Sequence, residues 1–179
     1  MQQHNDQNSP LGVRGKTLLL IRHAKSSWDD PSQPDFERPL NERGKRDAPE
    51  MAKKIKKKVQ IDAFVSSPAK RAKKTCQAFA EAFKFNKDNI IYKDELYEAI
   101  EENFLNVIES FDDDLETVAV FSHNPGITDF ANLLSDEVRI DNMPTCSVFA
   151  VKLHTNRWAD IRQAKREFMF FDSPKGNAD

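Results

Sequence analysis

The stretch Thr17-Leu18-Leu19-Leu20-Ile21-Arg22-His23-Ala24 runs from an apolar segment straight into an arginine and a histidine. The stretch Thr117-Val118-Ala119-Val120-Phe121-Ser122-His123-Asn124-Pro125-Gly126 has a similar order, apolar residues first and a histidine after them. Short apolar runs of this kind are typical of buried strands. In an open parallel sheet, functional residues collect at the carboxyl ends of the strands. We therefore expect two buried strands that bring His23 and His123 to one edge of the same sheet.

Helical and strand patterns alternate along the rest of the chain. Asn41 is a good N-cap for a helix that carries Ala48, Met51 and Ile55 on one face. Residues 147–153 alternate in hydropathy and residues 158–161 follow after a turn, which predicts an antiparallel hairpin. The element order predicts an α/β fold of three layers, α/β/α, with a mostly parallel central sheet and an antiparallel C-terminal addition. Helices are expected over about residues 42–58, 67–83, 103–111 and 126–134, and further strands over 61–66 and 89–92.

Length and composition indicate a single domain. The chain has 179 residues, with 27 Lys or Arg against 29 Asp or Glu and a net charge of −2. Residues 16–179 are expected to form one domain after a polar, disordered tail over residues 1–15. The near-neutral balance gives no reason to expect a nucleic-acid or anionic-membrane partner. Cys76 and Cys146 lack metal-ligand spacing and are expected to be reduced core residues.

The apolar runs of the chain are short. The first residues lack the apolar segment of a signal peptide. No apolar run reaches the roughly 20 residues that a membrane-spanning helix needs. We therefore expect a cytoplasmic protein, with a monomer as the default state.

Basic side chains follow the predicted strands at the same edge as the histidines. Arg22 ends the first strand, and Arg71 stands one turn into the helix that follows Ser66-Ser67-Pro68. Two guanidinium groups match the oxygens of a phosphate, and helix starts near Pro68 and Gly126 add backbone N–H donors. A metal fits less well, because the arginines repel a cation and no carboxylate cluster accompanies the histidines. The sequence therefore predicts a phosphate pocket with neither metal nor cofactor.

A histidine in such a pocket can attack phosphorus. It must be neutral to do so, and the usual pKa of histidine is about 6.5. The charges of Arg22 and Arg71 favour the neutral form of His23 and would also stabilise the phosphoryl oxygens during an in-line transfer. Transfer of a phosphoryl group to His23, followed by hydrolysis with water, is the chemistry that this arrangement indicates.

Arg22-His23-Ala24-Lys25-Ser26 resembles the Arg-His-Gly/Ala signature of the histidine phosphatase superfamily, which includes the phosphoglycerate mutases. Over about residues 16–153, the order and spacing of further motifs resemble the phosphohistidine phosphatase branch. Ser122 stands where many members have Gly before the second histidine, a small-for-small change. The further motifs are Arg38-Pro39-Leu40-Asn41-Glu42-Arg43-Gly44, Ser66-Ser67-Pro68 with Arg71, Ala72 and Thr75, Glu95-Leu96-Tyr97-Glu98-Ala99, and His123-Asn124-Pro125-Gly126.

The resemblance implies a role for each matching residue. His23 would be the nucleophile, and Arg22, Arg71 and His123 would form the catalytic phosphate pocket. Glu98 falls where mutase-like members place their proton donor, but the Gly usual downstream in mutases is missing and compact members of the branch can lack this acid. Alternative donors remain open: Glu95, Glu101, Glu102 and Asp29.

Other polar residues receive lesser roles. Asn124 and Thr145 are expected to contact the substrate or the pocket side chains. Arg38 is expected to fix the proline-rich loop. The basic run over residues 53–58 is expected to be the solvated face of an amphipathic helix rather than a nucleic-acid site. His4 and His154 are expected to be exposed and without function.

The spacing of the elements also bears on the substrate. About thirty residues separate Phe83 from Thr117, and a strand and a helix occupy them, which leaves no room for the helical lid that many small-molecule members insert. An uncovered pocket suits a bulky substrate, and the P–N bond of phosphohistidine breaks readily enough to tolerate a weak or missing acid. We therefore expect a metal-independent phosphohydrolase with a phosphohistidine intermediate, acting on a phosphohistidine protein or another exposed phosphate. The alternatives are a small-molecule phosphomonoesterase of the same superfamily and a non-catalytic phosphate-binding module.

Overall fold

The computed structural model describes residues 12–174. Of the tail expected over residues 1–15, residues 1–11 therefore lie outside the described residues, and residues 12–15 form a turn and irregular chain before the first strand. Ten regular elements follow. The strands are β1 (Lys16–Arg22), β2 (Ala63–Ser66), β3 (Ile91–Tyr92), β4 (Thr117–Ser122), β5 (Val148–Leu153) and β6 (Arg166–Asp172), and the helices are α1 (Glu42–Lys56), α2 (Lys70–Ala82), α3 (Glu101–Glu109) and α4 (Gly126–Leu133).

The six strands form one sheet in the order β3-β2-β4-β1-β5-β6. The pairs β2·β3, β2·β4 and β1·β4 are parallel, whereas β5 runs antiparallel to β1 and β6 antiparallel to β5. This confirms the predicted α/β architecture with a mostly parallel sheet and an antiparallel C-terminal addition. Because β1 and β4 are adjacent and in register from Thr17↔Thr117 to Arg22↔Ser122, their carboxyl ends lie side by side.

The position predicted for the last strand is wrong. Residues 158–161 were expected to pair with β5, but Trp158–Asp160 form a 3-10 turn and the strand that pairs with β5 is Arg166–Asp172. Trp158 is completely buried, and its indole N–H donates to the carbonyl of Leu115 at 2.9 Å. Trp158 therefore closes one end of the core. Tryptophan is common in strands, so the residue type alone does not distinguish this buried turn from a strand.

Helices cover both faces of the sheet because successive strand side chains point to opposite sides. Leu18 and Leu20 of β1 pack into a cluster with residues of α3 and α4. Leu19 and Ile21 pack into a second cluster with residues of α1 and α2. The two apolar layers hold β1 and β4 in the centre of the molecule, so their polar ends have a rigid base.

Helix α1 starts where the sequence predicts. The side chain of Asn41 accepts a hydrogen bond from the N–H of Gly44 at 2.9 Å, as expected for an N-cap. A Cβ on Gly44 would lie 2.2 Å from the carbonyl oxygen of Lys25, so only glycine allows the helix to pack this closely on the chain after β1.

The basic run at the end of α1 is not a solvated face alone. Ile55 is buried, as predicted, but Lys54 and Lys58 both form ion pairs with Asp172 of β6. Lys56 also donates to the carbonyl of Ala82 at 2.9 Å. Several of these lysines therefore connect the helix to neighbouring elements.

Candidate active site

A pocket of about 580 Å³ lies beyond the carboxyl ends of β1 and β4. All the residues predicted for the site line it, and the loops after both strands contribute. The lining residues are Arg22, His23, Lys25, Ser26, Trp28, Asp35, Arg38, Arg71, Tyr97, Glu98, Ala99, Ile100, His123, Asn124, Pro125, Gly126 and Thr145.

His23 is held by one hydrogen bond on each ring nitrogen. Its Nδ1 lies 2.7 Å from the carbonyl oxygen of Ala24, and its Nε2 lies 3.3 Å from Nε of Arg71. A carbonyl accepts and a guanidinium donates, so these partners assign the ring proton to Nδ1 and the lone pair to Nε2. The reactive nitrogen therefore faces the arginine that would bind a phosphate.

The pKa of His23 lies well below its usual value. Burial is the largest cause, since the residue is 6% exposed, and the nearby ring of His123 is the next. Arg71 and Arg22 lower the pKa further, while the hydrogen bond to Ala24 opposes the shift. His23 is thus neutral at physiological pH, the form that can attack.

Helix α2 fixes Arg71 relative to His23. The hydroxyl of Thr75 donates to the carbonyl of Arg71 at 2.7 Å and accepts the backbone N–H of Ala24 at 2.9 Å. One buried threonine therefore joins the helix that carries the arginine to the residue next to the histidine. Arg71 lies near the start of the helix that follows Ser66-Ser67-Pro68, as predicted, although the helix begins at Lys70 rather than Ser67.

His123 lies beside His23, with the ring centroids 5.1 Å apart. Its Nε2 contacts the hydroxyl of Ser67 at 2.8 Å, and its Nδ1 has no hydrogen-bond partner among the described residues. Burial, followed by the charge of Arg71, lowers the pKa of His123 to about 3. This second histidine is therefore also neutral, and its unpartnered Nδ1 is buried.

A sharp loop after residue 142 supports Arg22. The Nη1 of Arg22 donates to the carbonyl of Met143 at 2.7 Å. The N–H of Cys146 contacts the carbonyl oxygens of Arg22 and His23, each at 3.1 Å, and Cys146 adopts a φ of +62°. Thr145, on the same loop, is buried and lines the pocket, within 3.4 Å of Nη2 of Arg43.

Asn124 supports this loop from the other side. Its Nδ2 donates to the carbonyl of Met143 at 3.2 Å and to the side chain of Asn142 at 2.5 Å. Its Oδ1 accepts from Thr128 of α4 at 2.6 Å. Asn124 lines the pocket as predicted, but its hydrogen bonds show that it positions the neighbouring loop.

Glu98 lines the pocket. Its backbone φ is +53°, a conformation that residues other than glycine rarely adopt. The next residue, Ala99, packs on α4 so closely that a Cβ on Gly126 would lie 2.0 Å from its carbonyl oxygen. The absence of a side chain at Gly126 therefore allows this segment to pack against the start of α4. The alternative donors are not among the lining residues: Glu95, Glu101, Glu102 and Asp29.

Ser122 has a role that the sequence did not reveal. Its hydroxyl donates to the carbonyl of Leu96 at 2.7 Å, which ties β4 to the segment that leads to Glu98. Serine in place of glycine therefore adds a hydrogen bond that positions the segment leading to Glu98. The sequence gives little indication of this contact, because the partner of the hydroxyl is a backbone carbonyl, which every residue has.

Two further residues at the pocket were not predicted. Asp35 accepts hydrogen bonds from Nη2 of Arg71 at 3.0 Å and from the Tyr97 hydroxyl at 2.8 Å. Tyr97 also packs edge-on against His123. Partial burial would raise the pKa of Asp35, but the hydrogen bonds from Tyr97 and Arg71 outweigh it and lower the pKa to about 2.

Arg38 fixes the proline-rich loop, as predicted. Its guanidinium donates to Ser26 at 2.8 Å and to Asp35 at 3.1 Å. Its central carbon also lies 3.6 Å from the ring centroid of Trp28, an exposed residue at the mouth of the pocket. The loop is thus held by contacts among its own side chains.

The chemistry of the pocket suits an anion. Two arginines and two neutral histidines face a common space, a set that can bind phosphoryl oxygens and offer a nucleophilic lone pair. Within residues 12–174, no group of three or more His, Cys, Asp or Glu side chains is placed to hold a metal ion. In that same part of the chain, no helix is both long and apolar enough to cross a membrane.

Comparison with known sequences gives one family and one curated relative. A family model of the histidine phosphatase superfamily (branch 1) matches residues 18–101, a range that contains Arg22, His23, Arg71 and Glu98. An uncharacterized chloroplastic protein of Arabidopsis thaliana is 28% identical over 161 residues, which are 85% of this chain and 73% of that protein. Since that relative is chloroplastic, the cytoplasmic location stays a prediction.

Solved structures share this fold over most of the chain. SixA of Agrobacterium tumefaciens, named as a candidate phosphohistidine phosphatase, is 26% identical, with a TM-score of 0.72 over 89% of this chain and 98% of its own. The protein histidine phosphatase SixA in complex with tungstate is 20% identical, with a TM-score of 0.74 over 88% and 96% of the two chains. Mycobacterial glucosyl-3-phosphoglycerate phosphatase is 15% identical, with a TM-score of 0.62 over 87% and 97%. The last two likenesses concern the fold alone.

Proposed function

The chain belongs to the histidine phosphatase superfamily, its structural matches include SixA phosphohistidine phosphatases, and from this premise we propose that it removes phosphate from phosphohistidine on proteins, with His23 as the nucleophile. The observation that carries the proposal is the pair of contacts on the ring of His23, with Ala24 at Nδ1 and Arg71 at Nε2. Because Ala24 fixes the proton on Nδ1, the lone pair of Nε2 points to Nε of Arg71, 3.3 Å away, where a phosphoryl group would be bound. The reaction needs no metal in this scheme.

In the first step, the lone pair of His23 Nε2 forms a new P–N bond as the P–N bond of the substrate breaks. The substrate imidazole, protonated on its other nitrogen, leaves as a neutral ring. The phosphorylated His23 then carries a positive ring, which the hydrogen bond from Nδ1 to the Ala24 carbonyl stabilises. Arg22 and Arg71 bind the phosphoryl oxygens and stabilise their charge.

In the second step, water attacks phosphorus and the bond to Nε2 breaks, which returns the electron pair to His23. The released phosphate keeps the protons of the water or gives one to solvent. The neutral ring of His123 lies beside that of His23, with the centroids 5.1 Å apart, so it adds no positive charge next to the nucleophile.

The mouth of the pocket supports a protein substrate. Between β3 and β4 the chain forms a 3-10 turn, Asp94–Leu96, and the nine-residue helix α3, with no inserted subdomain above the pocket. Trp28 and Ile100 stand at the mouth with 72% and 66% of their surface exposed. Exposed aromatic and aliphatic side chains beside a binding pocket are typical contacts for another protein.

A second candidate function is hydrolysis of a small phosphate ester. The observation that favours it is the position of Glu98 in the pocket lining, because an alkoxide leaving group needs a proton donor. Glucosyl-3-phosphoglycerate phosphatase shows that the fold serves such a substrate in another protein. A non-catalytic phosphate-binding module has less support, because two histidines and two arginines of the proposed machinery meet in one pocket.

The two candidates differ in substrate preference. We would measure kcat/KM in the presence of EDTA for three substrates: a folded protein chemically phosphorylated on histidine with phosphoramidate, free phosphohistidine, and p-nitrophenyl phosphate. The proposal expects the phosphoprotein to be the best substrate. Efficient turnover of the ester with none of the phosphoprotein would support the small-molecule candidate.

The same assay tests the chemistry. His23→Ala is expected to abolish turnover, whereas His154→Ala, a change in an exposed histidine paired with Glu167, is the matched control. Loss of activity in EDTA would show that the metal-free scheme is wrong. Full binding of phosphate without any turnover would indicate the non-catalytic module.

A further inference from the structure

Asp35 lies at the mouth of the pocket on the loop between β1 and α1. Its carboxylate accepts hydrogen bonds from Arg71 Nη2 at 3.0 Å, Arg38 Nε at 3.1 Å and the Tyr97 hydroxyl at 2.8 Å. Its backbone carbonyl accepts a further bond from Arg71 Nη1 at 2.7 Å. The Asp35 side chain is 49% exposed whereas that of Arg71 is 6% exposed, so the carboxylate covers the outer end of a buried guanidinium.

The contacts divide the guanidinium of Arg71 into two forks. The end fork, made of Nη1 and Nη2, is bound to Asp35. The side fork, made of Nε and the other N–H of Nη2, faces Nε2 of His23, with Nε at 3.3 Å. A guanidinium is planar, so fixing one fork fixes the direction of the other.

We propose that Asp35 is a positioning residue that holds the end fork of Arg71 and thereby presents the side fork to the phosphoryl group on His23. When Nε2 of His23 is phosphorylated, its lone pair is no longer an acceptor. The Nε–H of Arg71 then turns to an oxygen of the attached phosphoryl group without a large movement of the guanidinium. The arginine is thus ready for the intermediate before the substrate arrives.

The charge of Asp35 has a second consequence. A carboxylate 3.0 Å from Arg71 offsets part of the positive charge that would otherwise attract free phosphate. Product phosphate therefore binds weakly and leaves the pocket readily. A purely structural residue would not have this effect, because loss of structure weakens phosphate binding instead of strengthening it.

The variant Asp35→Asn distinguishes the proposed positioning role of Asp35 from a purely structural role. The three partners of the carboxylate are all donors, so the amide NH₂ cannot replace a carboxylate oxygen. We expect kcat to fall about tenfold, because the guanidinium is no longer fixed, while calorimetric binding of inorganic phosphate becomes about tenfold tighter through the uncompensated charge. Asp35 and Glu37 lie on the same 3-10 turn, Asp35–Glu37. The matched control is therefore Glu37→Gln, which makes the same charge change on that turn.

A second variant covers the case in which Asp35→Asn does not fold. Asp35→Glu keeps the charge but moves it, and is expected to keep the weak phosphate binding of the wild type with a reduced kcat. Parallel weakening of kcat and of phosphate binding in Asp35→Asn would overturn the inference, as would values equal to those of Glu37→Gln. The inference rests on the proposed function for the kcat change, but phosphate binding is measured without substrate. Tighter phosphate binding in an enzyme inactive on phosphohistidine would therefore leave the role of Asp35 intact and overturn the substrate alone.

Discussion

Nε of Arg71 lies 3.3 Å from Nε2 of His23, so the arginine that would bind the phosphate also contacts the nitrogen that would attack it. This contact favours the neutral ring, since a protonated Nε2 would face a donor with no acceptor. It also places the charge of the guanidinium where the oxygens of a phosphorylated histidine would lie. Binding and activation of the nucleophile are therefore coupled through one side chain.

Replacing this arginine with lysine tests the coupling. Arg71→Lys keeps the charge but loses the planar fork and its bonds to both His23 and Asp35, and we expect kcat/KM to fall about a hundredfold. The measurement is steady-state hydrolysis of p-nitrophenyl phosphate in EDTA. Lys74→Ala, on the exposed side of the same helix, is the control. A loss no greater than that of the control would contradict a role for Arg71 in the reaction.

Much of this site follows from the sequence because its residues stand at the ends of strands. His23 and His123 come directly after the apolar runs of β1 and β4, and parallel pairing of those strands brings them together. Arg71 is recognisable from its place one turn after a strand end. These positions depend on local patterns and on one general rule of sheet topology.

Asp35 and Tyr97 could not be predicted in the same way. Asp35 lies on a short 3-10 turn in the loop between β1 and α1, whose path no periodicity defines, and its partners come from α2 and from the segment after β3. The last strand was misplaced for a related reason, because the burial of Trp158 depends on a distant carbonyl, that of Leu115. Contacts between irregular segments are set by tertiary packing and leave little trace in local sequence.

The exposed residues at the pocket mouth predict a preference for proteins. Trp28→Ala and Ile100→Ala are each expected to raise KM for the histidine-phosphorylated protein, by about tenfold for the tryptophan. The measurement is the ratio of kcat/KM for that protein to kcat/KM for free phosphohistidine, which share the same P–N bond. The ratio should fall in both variants.

Met169→Ala is the matched control for this comparison, because Met169 is 40% exposed and lies on β6 away from the pocket. An unchanged ratio in all three variants would show that the mouth of the pocket does not contact the protein. A fall in the Met169 variant alone would place the contact surface elsewhere.

The buried histidines predict a loss of stability in acid. The pKa of His123 is about 3 in the folded chain and near 6.5 in the unfolded chain, so below pH 6.5 the unfolded chain binds a proton that the folded chain does not. The stability that each neutral histidine contributes is complete above pH 6.5 and decreases as the pH falls, by about 1.4 kcal/mol per unit. For His123, this contribution to the free energy of unfolding in urea should be present between pH 6.5 and 4.5.

His123→Gln removes one of these titrations. The slope of stability against pH should decrease by about 1.4 kcal/mol per unit in this variant, whatever its absolute stability. Met169→Ala, a change at an exposed residue that does not titrate, is the control and should keep the slope of the wild type. An identical slope in all three proteins would mean that His123 is protonated in the folded state.

Transfer of the phosphoryl group through His23 can be observed by trapping the phosphorylated enzyme. The enzyme would be mixed with a histidine-phosphorylated protein, quenched within the first turnover, and mapped by mass spectrometry under alkaline conditions that preserve phosphohistidine. We expect an acid-labile, base-stable phosphate on the peptide that contains His23, and none in His23→Asn. A phosphate on another residue, or turnover that persists in His23→Asn, would show that His23 is not the nucleophile.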